Sequence, residues 1–307
     1  MLVGGSGFFG AHLAQELLSR GWRLRIVSRR PERAFRLRPL ANLGQVQFVR
    51  GDVTRPASLA EAFAGADAAV HLVGAFAGDL DALQGEGAGR IAALAQGGGA
   101  QAFVHVSALG ARATSDIAYE RTKAEGEAAV RATFARATIL RPSVLFGEDD
   151  KFLNLFAGLI ARLPALPVFA PDARLQPLYV DDAAQAVANA LEDPARHGGK
   201  AYDIAGPEPI AMLELHRRIA AAQARSPGLI ALPDAVSGLF ATATGWLPGA
   251  PLTRDQWALL KRGNVLAGEN GLKALGVTPR PLSLFLERWM VRYRKHGRFA
   301  AKAGAAR

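Results

Sequence analysis

The sequence predicts an α/β fold: a doubly wound parallel sheet followed by a smaller, partly interleaved α/β region. Three observations carry that prediction. Short β-branched runs alternate with amphipathic helical stretches over the first hundred and fifty residues, the pattern of a parallel sheet with crossover helices on both faces. A glycine cluster, Gly4 to Gly10, follows the first run and opens the first helix. Finally, 307 residues, half of them apolar and only 21% charged, can bury a sizeable core, which excludes a mainly disordered or fibrous chain.

In order, Leu2-Val3 ends a strand, Ala11 to Arg20 is a helix, and Arg23 to Ser28 and Val46 to Val49 are strands. A helix near Ser58 to Ala64, a strand at Ala68 to Val73, a helix around Ala82 to Ala95 and a strand at Ala102 to Ser107 follow. Tyr119 to Thr133 is a further helix and Ala137 to Leu140 a sixth strand, after which prolines break the rhythm. This divides the chain into a nucleotide-binding region, 1–150, and a smaller substrate or interaction region, 151–307. Within the second, Leu178 to Val180 and Tyr202 to Ile204 read as short strands returning to the first sheet. The first strand belongs at the sheet centre, where about five or six residues are usual. Only Met1, Leu2 and Val3 precede the glycines, so the protein is expected to begin upstream of this start.

The chain has no cysteine, which excludes a disulfide framework, a thiol nucleophile and thiolate-held metal. Its six histidines show no pairing on one helix face, so no metal is expected. No apolar stretch precedes the glycines as a secretory signal would, and the uncharged runs Ile91 to Ala111 and Ala235 to Thr253 are too broken by glycine and proline to span a membrane. The expected location is cytoplasmic.

The formal charge of +10 is uneven. Residues 251–307 hold twelve Lys/Arg against three Asp/Glu, and residues 20–38 hold eight arginines against Glu32 alone. No nucleic-acid module accompanies either cluster, so nucleic acid is not an expected partner.

Gly4-Gly5-Ser6-Gly7-Phe8-Phe9-Gly10 contains both G-x-G-x-x-G and G-x-x-G-x-x-G between a strand and a helix. Early glycines allow positive φ, Gly7 admits a pyrophosphate, and Gly10 lets the helix pack closely, with helix N–H groups aimed at the anion. In this strand-to-helix context it reads as the dinucleotide turn of a Rossmann sheet; the plainer alternative is an ordinary glycine-rich turn. An NAD-binding chain carries an acid at the end of the second strand for the ribose 2′-hydroxyl. Here Ser28-Arg29-Arg30 stand there, and a guanidinium fork suits a 2′-phosphate, so NADP(H) is favoured over NAD(H); the plainer alternative is solvent-facing arginines. Asp52-Val53 after the third strand and Leu72-Val73-Gly74 after the fourth lie at the carboxyl edge, where adenine and ribose would sit. His71 reads as a core residue.

Tyr119 and Lys123 lie four apart on one helix face. A lysine cation about 4 Å from a phenol contributes roughly 4 kcal/mol at effective ε of about 20, enough to bring its pKa from about 10 to near 7. A phenol so tuned exchanges a proton while hydride moves to or from nicotinamide. Ser107 ends the fifth strand nearby.

Together, Gly4-x-x-Gly7-x-x-Gly10, Asp52-Val53, Val106-Ser107, Tyr119-x-x-x-Lys123 and Arg141-Pro142-Ser143-Val144-Leu145-Phe146-Gly147 resemble the short-chain dehydrogenase/reductase superfamily, in its extended or atypical branch. The resemblance implies Tyr119, Lys123 and Ser107 as a catalytic set, and Pro142, Ser143 and Val144 beside the nicotinamide. Many extended members end the strand with two hydroxyl residues, whereas Ser107 is followed by Ala108. Further along, Ser107 to Ala111, Gln176 to Asp182, Gly206-Pro207-Glu208 and Leu252 to Gln256, with Leu259, Leu260 and Asn264, look like the nucleotide-binding accessory subunit family of respiratory complex I and its bacterial relatives. That likeness implies a tightly held NADPH that stabilises the fold and an interface beside a membrane. The location becomes peripheral, on the inner face of a bacterial inner membrane or the matrix side of a mitochondrial one. The rival readings are an active oxidoreductase or sugar-nucleotide epimerase using Tyr119 on a small-molecule substrate, and a sensor of the NADPH pool.

From Leu282, apolar residues recur at Phe285, Leu286, Trp289 and Tyr293, with Arg288, Arg292, Arg294, Lys295 and Arg298 between them. Such a basic amphipathic helix can lie on an anionic membrane, dock a respiratory partner, or pack on its own domain.

Overall fold

The computed structural model describes residues 1–238 and 253–297. Two compact units form: one from residues 1–143, 180–205 and 266–278, the other from 144–179, 206–265 and the chain beyond 279. Most of the uncharged run Ala235 to Thr253, Leu252 of the accessory-subunit motif, and Arg298 lie outside the described residues.

The first unit is a doubly wound Rossmann sheet of seven parallel strands: β1 (Leu2–Val3), β2 (Leu24–Ser28), β3 (Val46–Arg50), β4 (Ala68–His71), β5 (Ala102–Val106), β6 (Thr138–Pro142) and β7 (Ala201–Ile204). Their order is β7-β6-β5-β4-β1-β2-β3. β1 therefore lies inside the sheet, with Leu2 opposite Ile26 on one side and Val70 on the other. Its short length is made up by flanking residues: Val70 N–H donates to Met1 O and Leu72 N–H to Val3 O, both at 2.9 Å. β4 and β5 are buried throughout, as continuous apolar runs covered on both faces must be.

The connecting helices are α1 (Phe8–Ser19), α2 (Ala60–Phe63), α3 (Leu80–Gln84), α4 (Glu86–Gly97), α5 (Ala118–Thr133), α6 (Val180–Glu192) and α7 (Pro194–His197). The helical stretch expected around Ala82 to Ala95 is two helices broken at Gly85. α1 packs on α6, whose inner face is mostly alanine, and α4 packs on α5 and α2. Gly126 explains how α5 reaches α3, since a Cβ there would collide with the carbonyl of Gln84. Under this layer Ile91, Phe103, Leu59 and Phe63 form a fully buried apolar core with Val3 and Val27.

Within the second unit three short strand pairs form: Leu145–Phe146 with Leu178–Tyr179, Ala165–Val168 with Gly228–Ala231, and Arg174–Leu175 with Ile210–Ala211. Tyr202 to Ile204 does lie in the central sheet, as part of β7, but Leu178–Tyr179 does not. Its aromatic ring decides the matter: Tyr179 stacks on Phe285 at 4.1 Å, lies under the Arg280 guanidinium at 4.5 Å and tilts against Phe146 at 5.6 Å.

Of the three readings open for the final basic helix, the structure shows packing on its own unit. The helix runs from Ser283 to Met290, followed by a 3₁₀ turn Val291–Tyr293, and its stripe points inward, with Leu282, Leu286, Trp289 and Met290 buried. It rests on helix Met212–Ala222, and Tyr293 donates to Asn154 at 2.7 Å. The apolar face that a membrane would need is already covered within its own unit. Among the described residues no helix is long and apolar enough to cross a membrane.

Gly126→Ala is expected to lower stability by about 1 to 3 kcal/mol, the usual cost of overpacking against a rigid neighbour. Urea unfolding of the variant, with the exposed Gly97→Ala as control, checks it, because nothing lies within 4 Å of a Cβ at Gly97.

Candidate functional site

Tight covalent geometry builds the turn between β1 and α1. Gly4 has φ of +85°, and its N–H donates to Val27 O at 2.9 Å. A Cβ on Gly10 would sit 2.5 Å from Gly5 Cα, so only glycine lets the helix begin this close to the strand. Gly7 differs: a Cβ there would meet only Gly4 O, at 3.5 Å, so the space beyond it is open. α1 starts with Phe8 and Phe9, has no side-chain cap and no acid in its first turn, and Ser6 lies in the loop before it. N–H donors left without a side-chain acceptor, facing open space, suit a phosphate.

At the end of β2 the Ser28 hydroxyl is buried without a protein partner, and Arg29 and Arg30 are exposed. Asp52, past β3, accepts from the Thr54 N–H at 3.0 Å and the Thr54 hydroxyl at 2.9 Å. Burial opposes its ionisation, yet these hydrogen bonds and the Arg29 and Arg55 charges prevail and hold the carboxyl below its ordinary pKa. Val53 is buried beside it, while Leu72, Val73 and Gly74 leave β4 at the same sheet edge.

The structure corrects the expected tuning of Tyr119. Its ring stacks on Phe76 with centroids 4.5 Å apart, and burial pushes the phenol up to about 12 instead of down toward 7. Lys123 is elsewhere: its Nζ donates to Val106 O at 3.1 Å and Val73 O at 3.3 Å, with Gly74 leaving room for it. Burial lowers Lys123 to about 8, against a raising effect of Glu127. One helix face thus carries both side chains, but the lysine stem reaches inward to the strand ends and the phenol stays on the aromatic ring.

Ser107 is 4% exposed and its hydroxyl has no protein partner. Its N–H bonds Leu140 O at 2.8 Å, fixing the strand end next to Val106. Pro142 closes β6 and the Ser143 N–H donates to Ile204 O at 2.9 Å, whereas Val144 belongs to the second unit and donates to Asn264 Oδ1 at 2.7 Å. Two orphaned buried hydroxyls, Ser28 and Ser107, and an open glycine turn are the features a polar dinucleotide would satisfy.

Several supporting groups escaped the sequence reading. His71 and His105 stack at 5.1 Å with their Nδ1 atoms 3.0 Å apart. Burial, with the nearby Lys123 charge, takes His71 down to about 3, and His105 is also held well below its ordinary value. Gln84 accepts from Ala75 N–H and donates to the Thr122 hydroxyl, fixing the chain beyond Gly74. Glu127 takes a bidentate pair from Arg141 at 2.7 and 2.5 Å, and Arg141 also reaches Asp203 at 3.3 Å. The strand parity of His71 and the i, i+4 spacing of Lys123 and Glu127 were visible; their partners came from distant segments.

Fold and turn together define a nicotinamide-dinucleotide-binding protein with a short-chain-reductase architecture. The family described as NAD(P)H-binding matches residues 4–155, and the one described as RmlD substrate binding domain matches residues 114–238. NADH dehydrogenase (ubiquinone) 1 alpha subcomplex subunit 9 of Rattus norvegicus is 30% identical over 295 residues, covering 92% of this chain and 77% of that protein. Its Dictyostelium discoideum counterpart is 32% identical over 67% of this chain, a match that spans 59% of the longer protein. The ceramide reductase of Caulobacter vibrioides is 32% identical over 76% of this chain and 73% of that enzyme. Citrobacter sp. triphenylmethane reductase complexed with NADP(H) superposes with a TM-score of 0.75 over 94% of this chain and 98% of that one, at 19% identity, which speaks to the fold. The chain belongs to the atypical short-chain dehydrogenase/reductase superfamily, among the relatives of that complex I subunit.

A lysine with a depressed pKa binds fewer protons folded than unfolded over the interval from about 8 to its ordinary 10.5. Stability from this group therefore rises with pH across that interval, and the cost of the buried charge is present below it. Urea unfolding between pH 7.5 and 10 is expected to show this slope in the wild type and a flatter one in Lys123→Met.

Proposed function

We propose that the chain holds NADP(H), in preference to NAD(H), as a structural cofactor in an accessory or assembly-type subunit beside a membrane respiratory complex. The observation that carries this reading is the direction of Lys123. Its ammonium is committed to two strand carbonyls, and burial pushes the Tyr119 phenol up to about 12. A proton relay at neutral pH needs the opposite arrangement. The near full-length similarity to complex I accessory subunits supports the same role and a peripheral place on the inner face of a bacterial inner membrane, or on the matrix side of a mitochondrial one.

In the bound state the glycine turn and the first turn of α1 would take the pyrophosphate, and Arg29 and Arg30 the 2′-phosphate. The residues that end β2 and follow it, Ser28, Arg29 and Arg30, offer guanidinium groups, and the nearest acid, Asp52, comes from the end of β3 and gives one carboxyl oxygen to Thr54. Ser28 would lie toward the adenosine ribose, and Leu72, Val73 and Gly74 along the adenine side. Val106, Ser107, Pro142, Ser143 and Val144 would lie toward the nicotinamide. The bound group supplies hydride chemistry; the protein's own residues here orient it and exclude water.

A second reading has its own support. Ser107 keeps an orphaned buried hydroxyl at the strand end, and a ceramide reductase is 32% identical, so a working reductase using Ser107, Tyr119 and Lys123 is the alternative.

Titration with both reduced cofactors is expected to show NADPH binding at least about tenfold tighter than NADH, with the preference lost in Arg29→Ser/Arg30→Ser. Purified protein is expected to keep its NADPH reduced in the presence of carbonyl substrates, in wild type and Tyr119→Phe alike. Oxidation that depends on Tyr119 would establish the reductase instead.

A further inference from the structure

Of the arginines after β2, a 2′-phosphate would engage only Arg29 and Arg30. The remainder has a distinct construction. After β2 the chain forms a ten-residue 3₁₀ segment, Pro31–Leu40, anchored by its two buried side chains, Ala34 and Leu37. Arg33, Arg36 and Arg38 are exposed, the Arg38 guanidinium lies 3.8 Å over the Phe35 ring, and that ring packs edge-on against Phe48 at 5.2 Å.

Charge is not the whole pattern. Phe35 and Leu40 are 39% and 51% exposed, and Leu43 is fully exposed in the loop that follows. Nine large apolar side chains are exposed among the described residues, and these three fall within nine consecutive positions. Singly exposed apolar residues need no explanation, but a group of them among arginines does. Residues 29–55 carry seven arginines against Glu32 and Asp52. Asp52 is also already engaged with Thr54.

We infer that this segment is a docking surface for an anionic lipid bilayer, with Leu40 and Leu43 entering the headgroup layer, Phe35 at its edge beside Phe48, and Arg33, Arg36 and Arg38 meeting its phosphates. A folded acidic protein could also bury exposed leucines, but arginines interleaved with apolar side chains along one short segment are the pattern of an interfacial bilayer-binding element, and the acidic protein is an outcome of the test below. An anionic bilayer accounts for both features, because arginine stems and guanidinium groups sit at the interface while short apolar side chains pass below it. The inference is independent of whether the bound cofactor turns over, and it assigns membrane contact to a face other than the terminal helix, whose apolar stripe is packed.

Flotation of the full chain with vesicles tests it. The wild type is expected to float with vesicles of 70% phosphatidylcholine and 30% phosphatidylglycerol, to release at high salt, and to stay behind with pure phosphatidylcholine. Each basic side chain at such a surface strengthens attachment roughly fivefold. Arg33→Glu/Arg36→Glu and, separately, Leu40→Ser/Leu43→Ser are therefore each expected to reduce flotation by at least about tenfold. Unchanged thermal unfolding and NADPH titration confirm that the variants are folded, and the single Leu43→Ser, at a fully exposed position, serves if a double variant unfolds. Wild type that ignores the anionic vesicles, that floats equally with both compositions, or that is matched by the folded variants would overturn the assignment. Retention on a polyanion resin without flotation would also overturn it, in favour of an acidic macromolecule.

Discussion

Lys123 carries its charge into the protein interior, and the layout of the candidate site depends on how that charge is satisfied. An ammonium withdrawn from water costs several kcal/mol unless it is paired and hydrogen-bonded. Here the carbonyls of Val73 and Val106, beside the ends of β4 and β5, accept from it, and Glu127 one helical turn on supplies the opposing charge. Those contacts tie α5 to two adjacent strand ends. The surroundings match: burial, with a smaller effect of the cation, keeps His71 and His105 neutral, and a Cβ on Gly74 would come within 3.2 Å of the nitrogen, so a larger residue there would push on it.

The charge is relayed further by geometry. Glu127 gives both oxygens to Arg141, which leans on Asp203, so α5, β6 and β7 share one ionic chain that starts at the candidate site and ends at the sheet edge. A half-exposed pair such as Arg141–Asp203 contributes little alone. The more buried Glu127–Arg141 pair matters chiefly because removal of either member would strand the other, and with it the carboxylate that keeps Lys123 charged.

Local chemistry made the first unit legible. The glycine turn and the buried strand runs follow from residues close in sequence, and the structure shows both. Leu178–Tyr179 misled because a two-residue strand carries almost no periodic signal, and its partner was chosen by the ring contacts of Tyr179 with Phe285 and Phe146. The stripe of the terminal helix was correctly periodic, but periodicity cannot say whether a protein or a bilayer covers the apolar face. For Tyr119 and Lys123, spacing specified a shared face and nothing about side-chain reach. A four-carbon stem has the freedom to find Val73 and Val106, and the helix pattern contains no information on those strand carbonyls.

Binding and turnover make different demands on one architecture. Holding a dinucleotide needs a turn that only glycines can form, open space beyond Gly7, and buried hydroxyls such as Ser28 and Ser107 awaiting a partner. These features are fixed by the backbone and survive changes around them. Proton transfer instead requires that one flexible cation point at one phenol, and the same cation is attracted by every carbonyl within reach. Once Val73 and Val106 capture Lys123, the phenol is left with desolvation alone, which favours its neutral form. The nucleotide crevice and a proton relay therefore rest on separate features of this chain, and the direction of the Lys123 side chain bears on the second alone.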